Sequence, residues 1–181
     1  EQVPSLQIAR NGDHSASMLY LRGVGSDNYT EAGDSGVSTH IDGIYSSRSQ
    51  GSAVMLYDLE RIEVLRGPQG TLFGRNSTGG VINYHTARPT RELVSELDIT
   101  VGNYERRKLE GMLNLPLTEH WAVRGALASD RSLGYTDFSA GSLSTADAKR
   151  YNNTELMSYR FSSEWQPSQQ FSWWVSHAHF E

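Results

Sequence analysis

The chain has 181 residues, a net charge of -5, 17 glycines and no cysteine; 37% of its residues are hydrophobic and 20% charged. That length holds one or two ordinary domains. The acidic balance leaves no basic footprint for nucleic acid, and the missing thiols exclude a disulfide scaffold and thiolate metal sites.

In chain order, residues 1–16 carry little pattern beyond Val3, Leu6 and Ile8, enough for one short strand. Ser17 to Leu21 predicts a strand ended by Arg22-Gly23, and residues 23–36 form a polar loop. Val37 to Tyr45 alternates weakly around Asp42-Gly43, a two-residue hairpin signal. After a second polar loop at 46–52, Ala53 to Arg61 predicts a short helix with Ser52 as its N-cap.

Asp58 to Thr86 is the densest stretch. The expected helix end (Asp58 to Arg61) runs into a short apolar strand at Ile62, Val64 and Leu65. A turn at Gly67-Pro68, an apolar segment from Thr71 to Gly74 and a polar loop from Arg75 to Thr78 follow. Gly79 and Gly80 precede a second strand at Val81, Ile82 and Tyr84. Gly67, Pro68, Gly74, Gly79 and Gly80 are expected to set turns and close packing. Glu60, Arg61, Glu63 and Arg66 fall within seven residues, more charge than a core strand carries without partners.

Pro89 ends this part, and a boundary is expected near residue 90. Beyond it the texture changes to segments of alternating character separated by turns. Leu93, Leu97, Ile99 and Val101 share one face; Glu96, Asp98 and Thr100 share the other. Leu109, Gly111, Leu113 and Leu115 alternate with Lys108, Glu110 and Asn114. Trp121, Val123 and Leu127 alternate with Arg124, Ala126 and Ala128. Met157, Tyr159, Phe161 and Trp165 alternate with Ser158, Arg160, Ser162 and Glu164. Phe171 to Phe180 is a fifth strand whose faces do not separate by pattern. Turns are expected at Gly102 to Tyr104, Pro116 to His120 and Gln166 to Gln170, with a long polar loop from about Arg131 to Asn153.

One apolar and one polar face suits any half-exposed sheet. Two details favour a membrane barrel. The two proline turns lie at one end of a meander and the long loop at the other, the outer-membrane arrangement. Aromatics flank the turns, Trp121, Trp165 and Phe171 at one end and Tyr104, Tyr135 and Tyr151 at the other, as rings do at membrane interfaces. No apolar run approaches the roughly 20 residues of a membrane helix, but membrane strands do not need one.

Motifs for other chemistry are weak. The glycines from Gly67 to Gly74 lack the Gly-Lys-Ser/Thr ending of a phosphate loop, and no dinucleotide fingerprint occurs. No Gly-x-Ser-x-Gly elbow accompanies the serines, so a hydrolase has no motif behind it and no catalytic residue is expected. His177 and His179 share one strand face, but they are better explained as polar residues near an interface than as metal ligands. No metal site and no cofactor is expected.

The run Leu59 to Asn83, LERIEVLRGPQGTLFGRNSTGGVIN, resembles the closing segment of the plug domain of TonB-dependent outer-membrane receptors. Leu19 to Gly25 (LYLRGVG) and His40 to Tyr45 (HIDGIY) resemble two further plug signatures. The resemblance covers nearly the whole chain. It implies a mainly β fold: a mixed α+β plug part over residues 1–90, then an antiparallel meander over 91–181 that would be the first five strands of a transmembrane barrel of about 22. Glu1 would then fall in mid-domain, so the sequence looks like a mature fragment.

The resemblance implies TonB-dependent active uptake of a scarce extracellular ligand, most commonly an iron–siderophore complex, with no bond in the ligand broken. Implied partners are TonB with its inner-membrane motor complex, outer-membrane lipid and the ligand. The short motif that TonB grips is absent from these residues. Ligand contacts are expected on apical loops at Asp27, Asn28, Tyr29, Tyr45, Ser46 and Arg48, with the loop around Tyr135 to Tyr151. Arg61, Glu63 and Arg66 are expected to meet a polar barrel wall at Glu96, Asp98, Glu110 and Arg124. The alternatives are a soluble β-rich carbohydrate-binding module, for which residues 92–181 alone would suffice, a hydrolase, and a truncated receptor without function.

Overall fold

The computed structural model describes residues 3–10, 17–26, 34–46, 56–134 and 153–180. The chain divides into two compact units, Glu1–Ala87 and Arg88–Glu181.

The first unit holds β1 (Leu6–Arg10), β2 (Ser17–Leu21), β3 (Val37–Ile41), β4 (Ile44–Ser46), β5 (Leu59–Arg66), α1 (Gly70–Phe73) and β6 (Gly80–Thr86). β1 and β2 pair antiparallel, and the other four strands form a sheet in the order β4-β3-β6-β5. β3 and β6 run parallel at its centre, which is why β6 (GVINYHT) is buried at six of its seven positions. Leu19, Leu21, Val37, Ile82 and Tyr84 form the core, with Leu6, Leu59 and Val64 packed against it. Asp42 and Gly43 both take positive φ, 51° and 81°, the twist-compatible turn that joins β3 to β4.

Gly80 is required where β6 starts. Its φ is +148°, and an added Cβ would meet the Leu65 carbonyl oxygen and the Leu21 side chain. Gly79 lies against Val24 in the same way. Gly67 and Gly74 also take positive φ; Gly67 donates to the Gly79 carbonyl and Gln69 to that of Ser77. The loop between β5 and β6 is thus closed on itself, with α1 inside it.

The expected helix over Ala53 to Arg61 is corrected where it is described. Residues 56–58 are not helical, and Leu59–Arg66 is a strand; Ser52 and residues 53–55 lie outside the described residues. Asp58 takes φ 51°, which breaks a helical path. β5 instead pairs with β6 from Leu59↔Thr86 to Arg66↔Gly80. Tertiary pairing overrides a weak local propensity. The segment from Thr71 to Gly74 is in turn mostly helical, as α1 capped by Gly74.

The second unit is an antiparallel meander of β7 (Val94–Gly102), β8 (Arg106–Thr118), β9 (Trp121–Ser132), β10 (Thr154–Ser168) and β11 (Phe171–Phe180), in the order β11-β10-β9-β8-β7. The two proline turns are corrected. Pro116 and Pro167 lie within β8 and β10, and the turns are Glu119-His120 and Gln169-Gln170. Register shifts fall at Pro116/Thr118 and Trp165/Ser168, and a bulge tolerates the missing N–H of proline.

Candidate functional site

Three arrangements bear on function. The first lies beside the β3–β4 hairpin. Asn76 adopts φ 64°, and its Nδ2 donates to Asp34 Oδ1 and to the Tyr45 hydroxyl, each at 2.9 Å. The Arg75 guanidinium stands 5.9 Å from the Tyr45 ring centre. His40, 3% exposed, packs edge-on against Phe73 at 5.1 Å and tilted against Tyr45 at 5.6 Å. Of the residues expected to touch ligand, Tyr45 belongs to this cluster and Ser46 follows it. Asp27, Asn28, Tyr29, Arg48 and the loop from Tyr135 to Tyr151 lie outside the described residues. Sequence reasoning missed Asp34, Arg75 and Asn76 as partners of Tyr45; only the left-handed asparagine leaves a local trace.

The second arrangement answers the charge on β5. Arg61 pairs with Glu60 at 2.9 Å and with Glu63 at 2.8 Å. Glu63 Oε2 also lies 3.0 Å from His85 Nε2, which in turn contacts Asn83 Nδ2 at 2.9 Å. The antiparallel register places Glu63 opposite Asn83 and Arg61 opposite His85, so the Glu63–His85 contact is diagonal. Hydrogen bonds from Arg61 and then His85 hold the Glu63 carboxyl below the usual carboxylate range. The bond to Glu63 raises Arg61. Arg66 is exposed, and no described residue forms an ion pair with it.

The third arrangement is the wall of the second unit, whose exposure is inverted. Leu97, Ile99, Val101, Leu109, Leu113, Leu127, Met157, Tyr159 and Phe161 are exposed, Val101 at 77%. Asn114, Arg124, Ser158, Arg160 and Ser162 on the opposite face are buried, Asn114 completely. A sheet bathed in water on its open side shows the reverse. Trp121, Trp165, Phe171 and Trp173 collect at the short-turn end of the apolar face, with Trp165 opposite Trp173 and 6.2 Å from Phe171. Register also resolves β11: Val175, His177 and His179 lie opposite Ser163, Phe161 and Tyr159 and share their face. His177 and His179 therefore stand on the apolar side, the His179 ring tilted against that of Tyr159 at 5.3 Å. No group of three or more His, Cys, Asp or Glu among the described residues is placed to hold a metal.

On the polar face, Lys108 pairs with Glu110 at 2.8 Å, and Asp98 stands opposite Glu110. Arg106 binds Asp130 through two bonds of 3.2 and 2.8 Å. Glu96 and Asp98 are exposed, and Arg124 is buried.

This inside-out wall follows a glycine-pinned unit whose sequence is itself diagnostic: residues 1–81 match the TonB-dependent Receptor Plug Domain. The chain belongs to the TonB-dependent outer-membrane receptors. It is 39% identical over 89 residues to the pesticin receptor of Yersinia enterocolitica, covering 48% of this chain and 12% of that receptor. It is 30% identical over 138 residues to the ferric-pyoverdine 358 receptor of Pseudomonas putida, covering 75% of this chain and 16% of that receptor. The crystal structure of the ferric yersiniabactin uptake receptor from Yersinia pestis superposes on 98% of this chain and 27% of that one, with a TM-score of 0.83 at 23% identity. The chain therefore spans well under a third of each of these relatives. A plug part followed by barrel strands is the fold of this receptor family, and its place is the outer membrane of a Gram-negative bacterium. The family consists of transporters and not enzymes, which sets aside the hydrolase and the soluble binding module.

Proposed function

We propose that this receptor takes up an iron–siderophore complex, with energy delivered by TonB and its inner-membrane motor. Support comes from the plug match joined to an inverted wall and from the relatives named for ferric pyoverdine and ferric yersiniabactin. In this reading residues 1–90 are plug and 91–181 the first five barrel strands.

Ligand contacts are assigned to the apex around Tyr45 and Ser46, where Arg75 supplies a cation and Asn76 an amide. Asp27, Asn28, Tyr29 and Arg48, outside the described residues, are proposed as further ligand contacts from the sequence. Arg61, Glu63 and Arg66 are assigned to plug–wall contacts with Glu96, Asp98, Glu110 and Arg124. Arg61 and Glu63 already have partners on their own sheet, so Arg66 is the residue with most to gain there. Partly hydrated pairs are individually weak, so such a contact holds the plug and still yields to a modest pull.

The test is accumulation of iron-55 carried by pyoverdine or yersiniabactin, in cells whose own siderophore receptors are deleted and which express the intact receptor. Uptake that disappears with TonB supports the reading. Uptake of neither complex, with energised uptake of cobalamin or a sugar instead, overturns the substrate class. Arg66→Glu tests the latch: unchanged uptake and unchanged protease resistance of the plug would remove Arg66 from it.

A further inference from the structure

Two side-chain clamps flank the short passage Ala87–Pro89, within which the first unit ends and the second begins. On one side Asp42 holds the end of β6: its Oδ1 accepts from the Thr86 backbone N–H at 2.9 Å and its Oδ2 from the Thr86 hydroxyl at 2.8 Å. Ala87 N–H donates to the Asp58 carbonyl at 3.0 Å. On the other side Asn114 of β8 holds Thr90 and Glu92. Its Oδ1 accepts from Thr90 N–H at 2.9 Å. Its Nδ2 reaches the Thr90 carbonyl at 2.9 Å, the Thr90 hydroxyl at 3.1 Å and the Glu92 carbonyl at 2.6 Å.

The two clamps differ in kind. Asn114 is 0% exposed, and its amide engages both backbone groups of Thr90. It does for Thr90 what a strand residue does for its ladder partner, and so extends the hold on the chain back beyond the start of β7. Four contacts in a dry setting meet no competing water. Asp42 makes two, on a hairpin turn where its side chain is only partly covered. Pro89 has a fixed φ and is buried, and the Arg88 guanidinium stands 4.7 Å over the Trp174 ring of β11.

We propose that Asn114 is the mechanical stop of this receptor: the residue that divides the chain that is displaced on energisation from the chain that stays with the wall. This rests on the energised-uptake reading given above. Force drawn along the backbone passes through both clamps in series, so both feel the same load and the weaker opens first. The Asp42–Thr86 clamp opens, β6 frees its end, and the Asn114 clamp keeps Thr90 onward in place. Without it the load would reach the start of β7 and act on its pairing with β8.

The experiment is single-molecule force spectroscopy on the intact receptor in a lipid bilayer, pulled from the plug side, with Asn114→Leu and Asn114→Asp as variants. Asn114→Asp keeps the acceptor for Thr90 N–H and loses every donor. Insertion is scored separately by the heat-dependent shift in gel mobility. In the wild type the last rupture before the wall should leave the chain extended up to Pro89. In either variant that inserts, the extension at that stage should lengthen by the four residues Thr90 to Leu93, about 14 Å at about 3.4 Å per residue, and the final rupture force should fall. Unchanged length and force in an inserted variant overturn the proposal, as does a wild-type trace in which Thr90 is already released. The readout needs no transport: a receptor that shows the stop but no TonB-driven uptake keeps the clamp and removes the uptake reading. One that transports but lacks the stop removes only the clamp.

Discussion

Leu127→Arg tests the inverted wall most directly. Leu127 lies on β9 with its side chain on the exposed apolar face, between Gly111 of β8 and Tyr159 of β10. On this strand the apolar face begins at Trp121 and ends at Arg131, a separation of 131 − 121 = 10 residues. At about 3.3 Å per residue and a tilt of about 40°, those ten steps span about 33 Å along the strand and about 25 Å along the membrane normal. That matches the height of an outer-membrane apolar band. Leu127 is six steps from Trp121, about 15 Å up that normal, and so within about 3 Å of the midplane. An arginine there should cost about 2–4 kcal/mol, and close to the edge of the band only about 0–1.

Ser129→Arg, two residues further on and near Arg131, is the matched control. The assay is denaturant unfolding of the intact receptor in phospholipid vesicles, followed by tryptophan fluorescence, with heat-dependent gel mobility marking the inserted state. The expected result is a large loss for Leu127→Arg and a small one for Ser129→Arg. Equal and small losses would refute the lipid-facing assignment, and so would an intact receptor that is monodisperse in water without detergent.

Gly80→Ala should destabilise the plug by about 2–5 kcal/mol, since the added methyl meets Leu65 and Leu21 at a φ that side chains avoid. Gly43→Ala, with open space around its Cβ, should cost only about 1 kcal/mol; limited proteolysis of the plug in the intact receptor ranks the two. The Glu63 carboxyl should titrate below the ordinary value of about 4.3, because Arg61 and His85 bond its charged form. A depressed carboxylate contributes stability above its unfolded pKa and loses it as pH falls through the folded one. The local cluster should therefore persist at neutral pH and dissolve only in acid. Carbon-13 chemical shifts of the Glu63 carboxyl read the midpoint, and Arg61→Ala should raise it; a midpoint at or above the ordinary value contradicts the pairing.

Much of the fold was legible in sequence because its signals act between near neighbours. Alternation with period two marked β7 to β10, since side-chain direction in a strand depends only on the strand itself. Asp42-Gly43 marked its hairpin because both residues accept positive φ. The charge excess on β5 showed that partners were required, though not which. The resemblance carried by Leu59 to Asn83 supplied the family.

Tertiary structure decided whatever depended on distant partners. Asp58 to Arg61 has helix-forming residues, yet pairing with β6 makes it enter a strand. The faces of β11 are mixed in composition, and only register against β10 places His177 beside Phe161. Asp42 looks complete as a turn residue, and Asn114 is one polar residue in an alternating run. Their hold on Thr86, 44 residues away, and on Thr90, 24 residues away, has no trace in local pattern. A hydrogen bond across such separations is set by where the folded backbone brings its two ends, and local sequence carries no record of that.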